Sequence, residues 1–197
     1  MSIYDQTWFS NSLRTAAIAV VASVCTAALT IAVLVPAMNE SGAATSSTAG
    51  PTNSPWTVAG STGVVDEASL SVYDLAKSVM RFHPSVGNNA EISARYSVTA
   101  TEQLVENFGF TMTAVYLDNG SAARIVARLR RYDALNKTTQ TILTFDSNLF
   151  AASDLYQAKA VVGSFAFDFD NYAYYVDVDI TKSGASGTPE LAALQIR

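Results

Sequence analysis

From Thr15 to Asn39 the chain carries no charged residue, and Ala16 to Met38 is an almost unbroken run of Ala, Val, Ile and Leu with scattered Ser and Thr. A helix of about 20–23 such residues, rising 1.5 Å per residue, spans roughly 30 Å of hydrocarbon. The pattern therefore predicts a transmembrane helix over 15–38, with Pro36 near its far end, where it can stop the helix without breaking the middle. A cleaved secretory signal is the competing reading. Such signals have a more basic start and a shorter apolar region of about 7–15 residues, whereas this block is longer and is preceded only by Asp5 and Arg14. Tyr4, Trp8 and Phe9 suit the headgroup level of a bilayer, and Ala22, Thr26 and Thr30 form a four-apart stripe suited to packing on another membrane helix.

The next stretch changes character. Residues 39–65 are rich in Ser, Thr, Gly, Ala and Pro, with Glu40 their single charge, and read as a flexible polar linker. Trp56 stands out there as a large aromatic, marking either a contact with a partner or the point where the linker docks on the following domain.

Beyond the linker, in 66–197, the period shortens. Leu70 to Phe82 has an irregular apolar pattern that fits a short helix or an irregular strand. Ile92, Ala94, Tyr96 and Val98 alternate with Ser93, Arg95, Ser97 and Thr99, as in a half-buried strand. Thr101 to Asn107 can make a helical turn, followed by a strand over Phe110 to Leu117. Asp118-Asn119-Gly120 favours positive φ and predicts a tight hairpin into Ala123 to Tyr132. A turn at Asn136-Lys137 leads to a strand over Thr138 to Phe145. Further strands are expected over Lys159 to Phe169, Tyr172 to Thr181 and Leu191 to Ile196. The expected fold class is mainly β: an antiparallel β-sandwich, jelly-roll-like, tethered to one N-terminal transmembrane helix.

Charge sharpens this division. Of 12 Lys+Arg and 17 Asp+Glu, only Asp5, Arg14 and Glu40 fall within the first 65 residues. Arg14 precedes the apolar block, and no Lys or Arg follows it until Lys77, so the positive-inside tendency makes 1–14 a cytoplasmic segment. The chain would then sit in the inner (cytoplasmic) membrane with its β domain periplasmic or extracellular. One cysteine, Cys25, and one histidine, His83, exclude an intramolecular disulfide and a Cys/His zinc site within a single chain. His83 precedes Pro84 in a turn-like run, a poor setting for a catalytic triad. No cofactor is expected.

Three constellations remain. Arg124, Arg128 and Arg130 project from one face of a strand while Ile125, Ala127 and Leu129 project from the other. Together with Trp56 they are candidate contacts for a partner or an anion, although pairing with aspartates of neighbouring strands is the preferred reading. Asp168 with Asp170 and Asp177 with Asp179 form two carboxylate pairs that a hairpin could join into a Ca²⁺ site, or less plausibly a glycoside-cleaving pair. Their spacing matches no calcium loop, and a solvated face is preferred. The aromatic cluster Phe165, Phe167, Phe169, Tyr172, Tyr174 and Tyr175 could stack on sugar rings where exposed, with core packing again the simpler explanation.

With no catalytic set, the leading expectation is a non-catalytic, single-pass accessory or stabilising subunit of a larger membrane complex. Its partners would be integral membrane subunits and the lipid bilayer; net charge −5 argues against nucleic acid. The alternative is a tethered extracytoplasmic module that binds carbohydrate or another envelope polymer.

Overall fold

A computed structural model describes residues 54–197 except Asn107. The expected cytoplasmic segment, membrane helix and first part of the linker lie outside the described residues. Among those described, no helix is long and apolar enough to cross a membrane.

In chain order the elements are β1 (Trp56–Ala59), β2 (Val64–Val65), β3 (Tyr73–Ala76), β4 (Val79–Phe82), β5 (Ala90–Val98), α1 (Glu102–Glu106), β6 (Gly109–Asp118), β7 (Ala123–Asp133), β8 (Thr138–Asp146), β9 (Ser153–Ser164), β10 (Ala173–Lys182) and β11 (Glu190–Ile196). They form an antiparallel β-sandwich. One sheet runs β3-β4-β11-β6-β9, with β1 also on β11; the other runs β2-β5-β10-β7-β8.

Period-two burial builds the core. Ile92, Ala94 and Tyr96 of β5, Ile125, Ala127 and Leu129 of β7, and Val176, Val178 and Ile180 of β10 face Met112, Ala114 and Tyr116 of β6 and Leu191, Leu194 and Ile196 of β11, and all are buried. Each large aliphatic or aromatic side chain withdrawn from water contributes about 1.5–3 kcal/mol. A one-residue slip of any central strand would turn this apolar set outward, so the register is strongly specified.

The structure corrects several expectations. The segment Trp56 to Val65, assigned to the linker, belongs to the sandwich: β1 pairs with β11, setting Trp56 opposite Ile196, and β2 pairs with β5. Trp56 is buried in the core, so of its two candidate roles it takes that of docking the chain on the domain. Gly60 makes the next step possible, because a Cβ there would lie 1.9 Å from the Leu191 carbonyl oxygen. Leu70 to Phe82 contains the β3–β4 hairpin, turning through Lys77 at φ 61. Asp118-Asn119-Gly120 does turn, with Gly120 at φ 134 and its N–H donating to Asp118 Oδ1. It makes no hairpin, however: β6 and β7 lie in different sheets, and the turn is a corner between them. Asn119 also fastens that corner to the β10–β11 loop, donating from Nδ2 to the Ser186 carbonyl and accepting from the Thr188 N–H. The Asn136-Lys137 turn, by contrast, joins the paired strands β7 and β8.

Candidate binding surface

The arginines of β7 meet aspartates. Arg124 grips Asp146 of β8 through two bonds, Nε to Oδ1 at 3.1 Å and Nη2 to Oδ2 at 2.6 Å. Arg128 pairs with Asp179 of β10, whose other oxygen accepts from Ser93 Oγ at 3.0 Å. Asp177 stands between two cations, with Arg95 Nε at 2.8 Å and Arg130 Nε at 3.1 Å. The Arg130 contact is an ion pair without hydrogen-bond alignment, so that buried Nε–H has no hydrogen-bond acceptor among the described residues. Arg124 holds the Asp146 carboxyl below the usual carboxylate range, against the opposing effect of burial. The face proposed as an anion contact is thus an Arg/Asp ladder in which each of these arginines already has a carboxylate partner, Arg95 and Arg130 sharing Asp177, as cross-strand pairing predicts.

The carboxylate pairs do not converge. Because β9 and β10 belong to different sheets, no hairpin joins Asp168 and Asp170 to Asp177 and Asp179. Asp177 and Asp179 are engaged by arginines, while Asp168 accepts from the Asn171 backbone N–H and Nδ2, closing its own loop. Among the described residues no group of three or more His, Cys, Asp or Glu side chains is placed to hold a metal ion. The His83 imidazole bonds locally, its Nδ1 lying 2.7 Å from Ser85 Oγ. It borders an open cleft of about 280 Å³ with Arg81, Lys182, Thr188 and Glu190. Arg81 is tied to Asp74, and Glu190 accepts from Tyr156.

The aromatic cluster is different. β9 ends at Ser164, and the loop from Phe165 to Tyr172 folds over one end of the sandwich. Phe167 is buried there between Phe110, in an edge-on contact at 5.3 Å, and Tyr174 at 5.0 Å. Burial pushes the Tyr174 hydroxyl above the usual tyrosine range, against the opposing effect of the bond it accepts from the Asp168 N–H. On this base Phe165, Phe169 and Tyr172 sit half-buried. Arg131 lies across them, its guanidinium carbon 4.3 Å from the Tyr172 ring centroid and 5.7 Å from that of Phe165. Gln140 of β8 fixes the guanidinium by accepting from its Nη2 at 2.7 Å. Phe108 is joined to this end by the bond from the Phe165 N–H to its carbonyl at 2.6 Å, and its side chain is 74% exposed. The sequence reading had the loop aromatics but missed Phe108. The available signal was a phenylalanine directly before the first glycine of a strand.

Geometrically this end of the sandwich is an aromatic ledge: one free ring, three half-buried rings and a flat cation stacked on two of them. Rings anchored from behind can stack on a flat, weakly polar partner at little entropic cost. Tyr175, on the outer face of β10, stands apart with Arg95 4.5 Å over its ring.

No family model matches the chain, and no curated protein matches it. Solved structures similar to it include the C-terminal CBM6 of LamC, a marine laminarinase from Zobellia galactanivorans (TM-score 0.43, 6% identity, covering 73% of this chain and 98% of that one). Others are the xylan-binding module CBM15 (TM-score 0.42, 14% identity, 74% and 96%) and TmCBM61 in complex with beta-1,4-galactotriose (TM-score 0.37, 6% identity, 73% and 87%). At these values the likeness concerns the arrangement of strands alone.

Proposed function

We propose that the β domain is a non-catalytic binding module whose ligand is a carbohydrate or related polymer held on the aromatic ledge. The observation that carries this is the placement of exposed Phe108 beside the anchored set Phe165, Phe169 and Tyr172, with Arg131 stacked on Tyr172. The apolar faces of pyranose rings stack on such aromatics, and the remaining guanidinium donors can reach ring hydroxyls. The other candidate contacts are already engaged by partners of their own. Arg124, Arg128 and Arg130 are paired with carboxylates, and Trp56 is in the core. The subunit reading rests on 15–38, outside the described residues, and the sandwich itself offers it no ledge of comparable kind.

The test is affinity electrophoresis of the detergent-solubilised full chain through gels cast with β-glucan, xylan or galactan. Retardation in at least one gel is expected, reduced at least about tenfold in affinity by Phe108→Ala combined with Tyr172→Ala, since each lost stacking contact costs on the order of 1 kcal/mol. Retardation that survives both substitutions removes the ledge from the account.

A further inference from the structure

The end of the sandwich opposite the ledge carries the open cleft of about 280 Å³, lined among others by Arg81, His83, Pro84, Lys182, Thr188 and Glu190. Strand β10 runs from one end to the other, Tyr174 near its start and Lys182 at its finish, so at about 3.3 Å per residue the ledge and the cleft lie roughly 26 Å apart. The volume is just under the roughly 300 Å³ at which ligand pockets begin, which suits one small unit and not a length of polymer. Both walls are fixed before a ligand arrives. On one, the His83 N–H donates to the Val72 carbonyl at 2.8 Å, and the His83 carbonyl accepts from the Val86 N–H at 2.9 Å. On the other, the Ser183 N–H donates to the Ala122 carbonyl at 2.9 Å, and Gly187 lies so close that a Cβ on it would stand 2.2 Å from that carbonyl oxygen.

The polar groups between these walls do not satisfy one another. Arg81 is held by Asp74, and Glu190 accepts from the Tyr156 hydroxyl, which leaves the other lone pairs of that carboxylate open. Lys182 is half-buried and has no ion-pair partner among the described residues. The Ser85 N–H donates to His83 Nδ1 at 3.2 Å, so that nitrogen is an acceptor and the neutral ring carries its proton on Nε2, a donor without a partner among the described residues. We propose that the cleft is a second binding site and that its ligand is a hexuronic acid unit. Lys182 and the His83 Nε2–H take the carboxylate, in charge-assisted bonding, and the sugar hydroxyls donate to Glu190 and Thr188. A phosphate dianion would bring its charge against Glu190, and a neutral sugar would leave the Lys182 ammonium unanswered. A uronate meets both groups at once. The assignment does not rest on the ledge, and it gives one domain two sites for different sugar units.

Calorimetric titration of the full chain in mild detergent tests this, with D-glucuronate and D-galacturonate set against D-glucose, D-galactose and inorganic phosphate. At least one uronate is expected to bind about tenfold or more tighter than the neutral sugars and phosphate, the effect of one charge-assisted hydrogen bond. Lys182→Gln should weaken uronate binding by about tenfold or more and Lys182→Arg by less than about threefold, because the positive charge is kept. Lys137→Gln, in the β7–β8 turn, and Phe108→Ala combined with Tyr172→Ala should leave it unchanged. Should Lys182→Gln lower the thermal midpoint, His83→Ala decides instead: its side chain is exposed, and its loss should weaken binding by about threefold or more. No binding of either uronate, equal binding of a neutral sugar or of phosphate, or uronate binding that survives both Lys182→Gln and His83→Ala overturns the assignment. Uronate binding lost with Phe108→Ala and Tyr172→Ala but kept in Lys182→Gln would put the uronate on the ledge and overturn it as well.

Discussion

At the scale of single residues, two buried tyrosines behave oppositely although both read as inward positions of a strand. Tyr96 donates to the Gly60 carbonyl at 2.5 Å and ties the turn after β1 to β5, whereas the Tyr116 hydroxyl is buried without a hydrogen-bond partner among the described residues. Burial pushes the Tyr116 hydroxyl up to about 12, with Asp118 adding to the effect. Tyr96→Phe should therefore cost about 1–2 kcal/mol in urea denaturation, while Tyr116→Phe should leave the midpoint unchanged or raise it, because it removes an unsatisfied group. Asp146 supplies a pH test. Its folded carboxyl titrates below its unfolded value, so its contribution is present above the unfolded value of about 4 and is lost as pH falls through the folded one. Asp146→Asn should thus lower stability at neutral pH and flatten its decline in acid, read from thermal midpoints across that range. None of this was legible in the sequence, which gives the parity of Tyr96 and Tyr116 but not the carbonyl that one of them finds.

At the scale of elements, β5, β6 and β7 were legible because each buries one face, so alternation shows. β9 was placed six residues late. As an edge strand with Asp154, Leu155 and Tyr156 all exposed, it has no alternating pattern at its start. β1 was hidden for another reason: Trp56 to Ala59 is a short strand at the end of a linker-like composition. Its weight can be measured. Trp56→Ala should destabilise the domain by about 3–5 kcal/mol, a core loss rather than a linker change, checked by urea denaturation of the full chain. The two turn signals also divided: Asn136-Lys137 makes a hairpin, and Asp118-Asn119-Gly120 makes a corner between sheets. Local φ preference fixes that the chain turns, while the sheet it enters is decided by long-range packing. The same fact undid the aspartate hairpin.

At the scale of the whole molecule, the described domain separates its chemistry by surface. The outer face of the β2-β5-β10-β7-β8 sheet is an Arg/Asp ladder of internal ion pairs, one end is an aromatic ledge, and one side ends in the long strands β8 and β9. If the ledge holds the ligand, binding depends little on long-range charge, so affinity should hold within about twofold between 0.05 M and 0.5 M salt, where surface ion pairs with a polyanion would weaken strongly. The most direct measurement of the central claim is hydrogen–deuterium exchange on the full chain, with and without a polysaccharide that retards it. The account predicts protection in peptides covering Phe108 to Phe110 and Phe165 to Tyr174. Protection instead around Arg81 to Pro84 and Gly187 to Glu190, with the ledge unchanged, would contradict it.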